Sequence, residues 1–370
     1  MKITDLTVTV WEWKDIPPIR YNKTIANEEG GSVEMGLIKI STDEGIDGYS
    51  FLGSALTPAT PGAQWIIDTL KPIVMGQDPL DRERLWQAMA KRAEGRQLFS
   101  VGAVDVALWD IAGRAAGVPV HKLIGSFRDT VPAYASSAVL DSPEDYIADA
   151  LRYKEMGWSA YKMHPQGEPD VDIKICEDVR RAVGDDYRLM LDPTWSYDYA
   201  GALKVGKALD ELGYYWYEDP LPWDDIDGCV KLKAELDIPL MATELPLTKP
   251  TDYDPWIRRE ATDFLRGDVA LKGGLTSCLK TAHTAETFGL NYEVHHGGNS
   301  LNNYANLNLI MAIPNCEYFE VLLPEAAQKH GLVRDIEIDE NGLAHAPDQP
   351  GIGAEIDFEL IARNKVAELT

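Results

Sequence analysis

The chain has 370 residues, enough for two domains or one large single-core fold. With 60 acidic against 35 basic side chains its formal charge is −25, which disfavours a phosphate backbone as partner but not a small anion, because a pocket carries its own local field. A hydrophobic fraction of 45% and a charged fraction of 26% are those of an ordinary globular chain and exclude global disorder.

Residues 4–13 alternate as a strand does, and nothing there resembles a signal-peptide core. Residues 16–31 read as a polar loop containing Pro and Gly. A second strand over 32–41 ends at the turn signal Asp43-Glu44-Gly45, and 48–52 reads as a third. Residues 63–70 and 81–93 read as helices. Residues 100–116 carry apolar side chains at helical spacing and stop before Gly117-Val118-Pro119. This predicts an α+β unit over residues 1–125.

Beyond it the pattern becomes regular. Strand candidates are 131–139, 160–164, 188–192, 214–219, 239–244, 264–271, 292–295 and 318–322, with helical runs between them such as 143–156, 171–183, 200–212 and 277–288. Such alternation predicts a parallel (β/α) barrel over 126–334. A doubly wound open sheet is the alternative, but no GxGxxG turn opens a helix here. The tail, 335–370, is expected to pack back on the first unit. Cys176, Cys229, Cys278 and Cys316 are scattered, which excludes a zinc knuckle, a CxxC redox motif and a disulfide framework. No apolar run approaches a membrane span, and a cytoplasmic setting is expected.

In a barrel the C-terminal strand ends converge on one face, so their side chains form one list. Lys162 and His164 end the second strand, Asp192 the third, Glu218 the fourth and Glu244 the fifth. Asp268 lies in the sixth, His295 ends the seventh, and Glu320 lies in the eighth. Asp192, Glu218 and Glu244 recur every 26 residues, one βα unit each. Three neighbouring anions repel unless a cation neutralises them, and an all-oxygen set favours Mg²⁺ or Mn²⁺ over Zn²⁺. Strand alternation puts Lys162 and His164 on one face, where like-charge repulsion would keep His164 a neutral base. An Asp268–His295 hydrogen bond would fix the imidazole tautomer and favour the imidazolium. His296 competes with His295 for the inward position. Glu320, in a dry site near other anions, is expected to stay protonated and donate to a developing oxyanion.

These motifs resemble the mandelate racemase subgroup of the enolase superfamily over essentially the whole chain. GWSAYKMH, at 157–164, is similar to the family's second-strand segment ending in K-x-K, with His164 at the position of the base. LDPTWS, YYWYEDP and ATEL match its three metal-ligand strand ends, GDVALKGGLTS and GLNYEVHH its Asp–His dyad, and EYFE its electrophilic carboxyl. SVGAVDVALWDIAGRAAGVPVHKLIG is similar to its junction helix, and PGIGAEID to its tail. The resemblance implies a (β/α)7β modified TIM barrel with an N-terminal α+β capping domain, whose loops near 17–31 and 51–61 close the site. It implies Mg²⁺-dependent abstraction of a proton α to a carboxylate. The chain departs from the pattern with K-x-H in the second strand and with Thr194 where Asp-x-Asn is usual.

Dehydration of a sugar acid to a 2-keto-3-deoxy acid, hence a lyase, is the leading expectation. Racemisation, epimerisation or cycloisomerisation of a carboxylate is the alternative. A non-catalytic binding relative would have no use for both His164 and His295. A metal-dependent barrel aldolase or hydrolase would use the three carboxylates but gives no role to the two imidazoles. Arg20, Tyr21 and Lys23 in the capping loop, with Thr194 and His296, are the candidate substrate contacts. Trp195, Tyr197 and Trp223 are candidate pocket walls. A homo-oligomer acting on a small carboxylate, without nucleic acid or membrane, completes the expectation.

Overall fold

The computed structural model describes residues 1–95, 97–245 and 249–370. Ile3–Ile16, Gly31–Thr42 and Gly48–Leu52 form an antiparallel sheet whose far edge is Lys365–Leu369, paired with the first strand. Both faces of this sheet are covered. Leu6, Val8, Val10, Ile38 and Ile40 pack on the helices of the cap, while Trp11, Trp13, Met35 and Leu37 join the core shared with the barrel. The stretch read as a loop holds a small hairpin, Ile19–Arg20 with Ala26–Asn27. Two-residue strands are too short to show a period, so the sequence could not reveal it.

The cap docks through the helix Gln97–Ala116. A Cβ on Gly102 would stand 2.4 Å from Val269 O, so only glycine lets this helix approach the loop after the sixth barrel strand. One turn on, Asp105 accepts from Thr276 N at 2.9 Å and Thr276 Oγ1 at 2.6 Å. Burial pushes the Asp105 carboxyl up to about 7, against the Thr276 hydrogen bonds and Arg82, which lower it, while Glu83 raises it slightly. The native state therefore holds a proton that the unfolded state has already lost. Stability should fall as pH rises from the ordinary carboxylate range to about 7, then level off. Asp105→Asn should flatten that slope in denaturant titrations across the same window; an unchanged slope would refute the assignment.

Eight parallel strands build the second unit: Thr130–Ser136, Ala160–Met163, Arg188–Leu191, Trp216–Glu218, Leu240–Ala242, Phe264–Gly267, Asn291–Val294 and Phe319–Leu322. Numbered one to eight, they run 7-6-5-4-3-2-1-8 around a nearly closed barrel, with helices such as Pro143–Glu155, Pro169–Val183, Tyr199–Leu212 and Leu275–Thr287 between them. Where strands seven and eight would meet, side chains bridge the seam. Glu317 N donates to Glu293 Oε1 at 3.0 Å, and His296 N donates to Glu320 Oε2 at 3.0 Å. Part of the tail, Leu343–His345, pairs antiparallel with strand one.

The period of two sorts the barrel residues. Tyr161, Met163, Leu189, Leu191 and Tyr217 belong to the core with the surrounding helices. Tyr134, Ala160, Met190, Trp216, Met241 and Tyr318 form a separate apolar cluster inside the barrel. This plug is the floor on which the charged groups stand. Several strands end earlier than the sequence suggests. Strand five, read to 244, ends at Ala242, and Thr243 beyond it has a positive φ, as do Thr194, Trp195 and Asp219 past the ends of strands three and four.

Candidate active site

Two residues along from the plug, the same strand faces carry Lys162, Asp192, Glu218, Arg266 and Glu320, all buried. One carboxylate oxygen from each of Asp192, Glu218 and Glu244 lies within 4.8 Å of the others, a grouping that could hold a metal ion. A buried all-carboxylate set of this kind suits a hard divalent cation.

Lys162 Nζ lies 3.0 Å from Asp192 Oδ2, 2.9 Å from Glu218 Oε2 and 3.0 Å from Glu320 Oε1. Burial opposes its charge, but Glu218 and Glu320 outweigh that and hold the ammonium well above its ordinary range. Burial likewise works against the Asp192 carboxylate, and Lys162 and His164 overcome it and lower its pKa. His164 does not simply face Lys162. Both reach Asp192 Oδ2, His164 through Nε2 at 3.2 Å. Its Nδ1 lies 2.5 Å from Ser137 O, so both ring nitrogens meet acceptors. Tyr146, donating to His164 O at 2.7 Å, fixes the backbone there.

His295 Nδ1 is hydrogen-bonded to Asp268 Oδ2, and its Nε2 stands 3.8 Å from Glu244 Oε1. Burial disfavours the imidazolium, yet Glu244 and Asp268 prevail and raise the pKa to about 9. His296 points elsewhere: its ring packs on Phe319, centroids 4.2 Å apart. Burial, with His295 and Arg266 nearby, drives its pKa down to about 3. Of the adjacent pair, His295 is the one that meets the dyad aspartate and the triad.

One expectation needs correction. Glu320 is not a protonated donor. It accepts from Arg266 Nη2 at 2.6 Å and from His296 N at 3.0 Å, and pairs with Lys162. Burial would favour the neutral acid, but Arg266, Lys162 and His295 hold it well below the usual carboxylate range. The sequence reading missed Arg266, which lies in strand six with the same parity as Asp268. An arginine inside an otherwise apolar barrel strand was the available signal.

The capping hairpin lies over this mouth. Tyr21 packs against the His164 ring, centroids 5.1 Å apart, and its hydroxyl donates to Leu323 O at 2.7 Å and accepts from Gln328 Nε2. Asn22, not singled out from sequence, donates to Thr194 O at 2.9 Å. Thr194 itself binds Asp192 Oδ1 through N at 2.9 Å and through Oγ1 at 3.2 Å, which orients that carboxylate. The structure does not bring Lys23 to the mouth; it is exposed and paired with Glu168. Arg20 lines a cavity of about 730 Å³ beside the hairpin, with Asp141, Asp149 and Glu325, which none of the triad reaches. Tyr197 is committed to Asp172 at 2.6 Å, and Trp223 is exposed. Trp195 remains beside the site at its strained turn, with Nε1 buried and without a partner among the described residues. Lys272, also missed, donates to Thr243 O at 2.8 Å and Glu244 O at 2.6 Å and steadies the end of strand five.

Residues 6–125 match the N-terminal domain of the mandelate racemase / muconate lactonizing enzyme family, and residues 145–360 match the enolase C-terminal domain-like family. The chain belongs to the mandelate racemase / muconate lactonizing enzyme family. Among solved structures of this family's superfamily, D-glucarate dehydratase from Agrobacterium tumefaciens, complexed with magnesium, superposes with a TM-score of 0.90 at 34% identity, covering 99% of this chain and 100% of that one. Arabinonate dehydratase of Saccharolobus solfataricus is 28% identical over 87% of this chain and 88% of its own length. N-succinyl-L-Arg/Lys racemase of Bacillus cereus is 30% identical over 75% of this chain and 76% of its own. The chain's relatives in the family are thus acid-sugar dehydratases, with isomerases beside them. Among the described residues no helix is long and apolar enough to cross a membrane.

Proposed function

We propose that the protein is a Mg²⁺-dependent lyase that removes the proton α to a carboxylate and dehydrates a sugar acid to a 2-keto-3-deoxy acid. The observation that carries this reading is the pair of imidazoles on strands two and seven, His164 against Asp192 and His295 against Asp268 and Glu244, beside one carboxylate triad. His164 lies with Nδ1 against Ser137 O and with Nε2 turned to the site, 3.2 Å from Asp192 Oδ2. His295 is held as the imidazolium by Asp268 and Glu244. His164 is read as the base and His295 as the acid.

Asp192, Glu218 and Glu244 would hold the Mg²⁺, and Mn²⁺ satisfies the same oxygen set. When bound, the metal supplies Lewis-acid stabilisation of the negative charge that develops on the substrate carboxylate. Lys162 supplies a second, fixed positive charge to the same region. His164 takes the α-proton. His295 delivers a proton to the β-hydroxyl, whose C–O bond breaks and releases water. The resulting enol then ketonises. The hairpin covers the His164 ring through Tyr21 and limits water there.

An isomerase reading rests on the same two imidazoles, since a second acid on the far side can return the proton to carbon. One experiment separates the two. Wild-type protein with Mg²⁺ is incubated with a panel of sugar acids in deuterated water, and products are followed by NMR and by 2-keto acid detection. A 2-keto acid product supports dehydration, and a deuterated stereoisomer without loss of water supports the isomerase. A panel without 2-keto acid product sinks the dehydratase.

A further inference from the structure

Arg266 is wholly buried inside the barrel, two residues before Asp268. A buried guanidinium persists only where carboxylates surround it. Its Nε lies 2.7 Å from Glu218 Oε1 and its Nη2 lies 2.6 Å from Glu320 Oε2. Lys162 Nζ meets the other oxygen of each of these carboxylates, at 2.9 Å from Glu218 Oε2 and 3.0 Å from Glu320 Oε1. The four groups close a ring of alternating charge, and they come from strands two, four, six and eight. Layers drawn from alternate strands are how a barrel interior fills. Here the layer is ionic, and it rests on the apolar plug through Tyr134, whose hydroxyl accepts from Arg266 Nη2 at 3.1 Å.

Resting on the reading of Glu218 as a metal ligand and His295 as an acid, we propose that Arg266 is a positioning residue for both. Its contact at Glu218 Oε1, with Lys162 at Oε2, grips that ligand's carboxylate from both sides and fixes its orientation. By holding Glu320 it fixes His296 N, and with it the end of strand seven from which His295 projects. That second link matters because the seam beside strand seven is bridged by side chains, so the strand end depends on its carboxylate acceptors. A lysine at 266 would meet these carboxylates as a point charge, as Lys162 does, without the two nitrogens fixed in one plane by which Arg266 sets their orientation.

The test titrates Mg²⁺ alone into metal-free wild type, Arg266→Lys and Tyr134→Phe by calorimetry, and follows the His295 Nδ1 proton by NMR. For a folded Arg266→Lys we expect Mg²⁺ affinity to fall by about tenfold or more, together with a displaced His295 resonance. A general loss of stability would not move that resonance. A folded variant whose resonance is unmoved, or whose affinity changes by less than about threefold, overturns the proposal. Should Arg266→Lys fail to fold, Tyr134→Phe decides: weakening by more than about twofold supports the proposal, and a smaller change overturns it. Wild type that binds no Mg²⁺ overturns the functional reading and this proposal with it. Tight wild-type binding with unaffected variants overturns the proposal alone.

Discussion

His295→Asn should lower dehydration by about 10²–10⁴-fold while leaving Mg²⁺ affinity unchanged. The magnitude is that of a general acid removed from a site whose other parts remain. Asparagine still reaches Asp268 but carries no proton that it can deliver at neutral pH. The metal set is spared because His295 Nε2 is 3.8 Å from Glu244 Oε1, outside any direct bond. His164→Ala should abolish turnover as well, but for the opposite reason. If His164 takes the α-proton as proposed, its loss should also stop exchange of that proton with deuterated water, whereas His295→Asn should retain some exchange. Stopped-assay kinetics and NMR read these two quantities separately. Full activity in either variant would remove the acid–base assignment.

Glu218→Ala should weaken Mg²⁺ binding by more than about 100-fold, the upper end of what loss of an outer partner does. Glu218 is wholly buried and contacts both Lys162 and Arg266. Removing it takes away a candidate ligand and leaves two cations to share Glu320 and Asp192, so the net local charge turns against a divalent ion. Glu218→Gln keeps the volume and loses only the charge, and it should show the same direction of change with a smaller loss of stability. Calorimetric titration that finds wild-type affinity in Glu218→Ala would refute the triad.

The barrel was legible in the sequence because its signal is repeated. Eight short apolar runs separated by helices leave few topologies, and three acids at one βα spacing mark a common face. The site was legible only where a residue sits at a strand end. Arg266 lies inside strand six, two residues before the Asp268 that marks its end, so its charge was passed over. The state of Glu320 followed from that omission. Its burial and acidic neighbours are visible from its own strand, but the cations that ionise it come from strands two and six. Contacts between distant strands leave no local period. The hairpin at Tyr21 escaped for a similar reason, since its two short strands are held by Leu323, Gln328 and Thr194 and not by their own pattern.

The pairing of Lys365–Leu369 with Ile3–Ile16 bears on how the molecule assembles. The cap sheet takes its edge strand from the opposite end of the described chain, with the whole barrel lying between the two partners. Such a contact carries the loop-closure entropy of nearly the entire chain, so it forms late and at a rate set by the barrel. The cap can collapse early around its helices, but its sheet is finished only when the barrel has brought the tail back. Cap and barrel should therefore lose structure together, in one cooperative transition, although each has a core of its own.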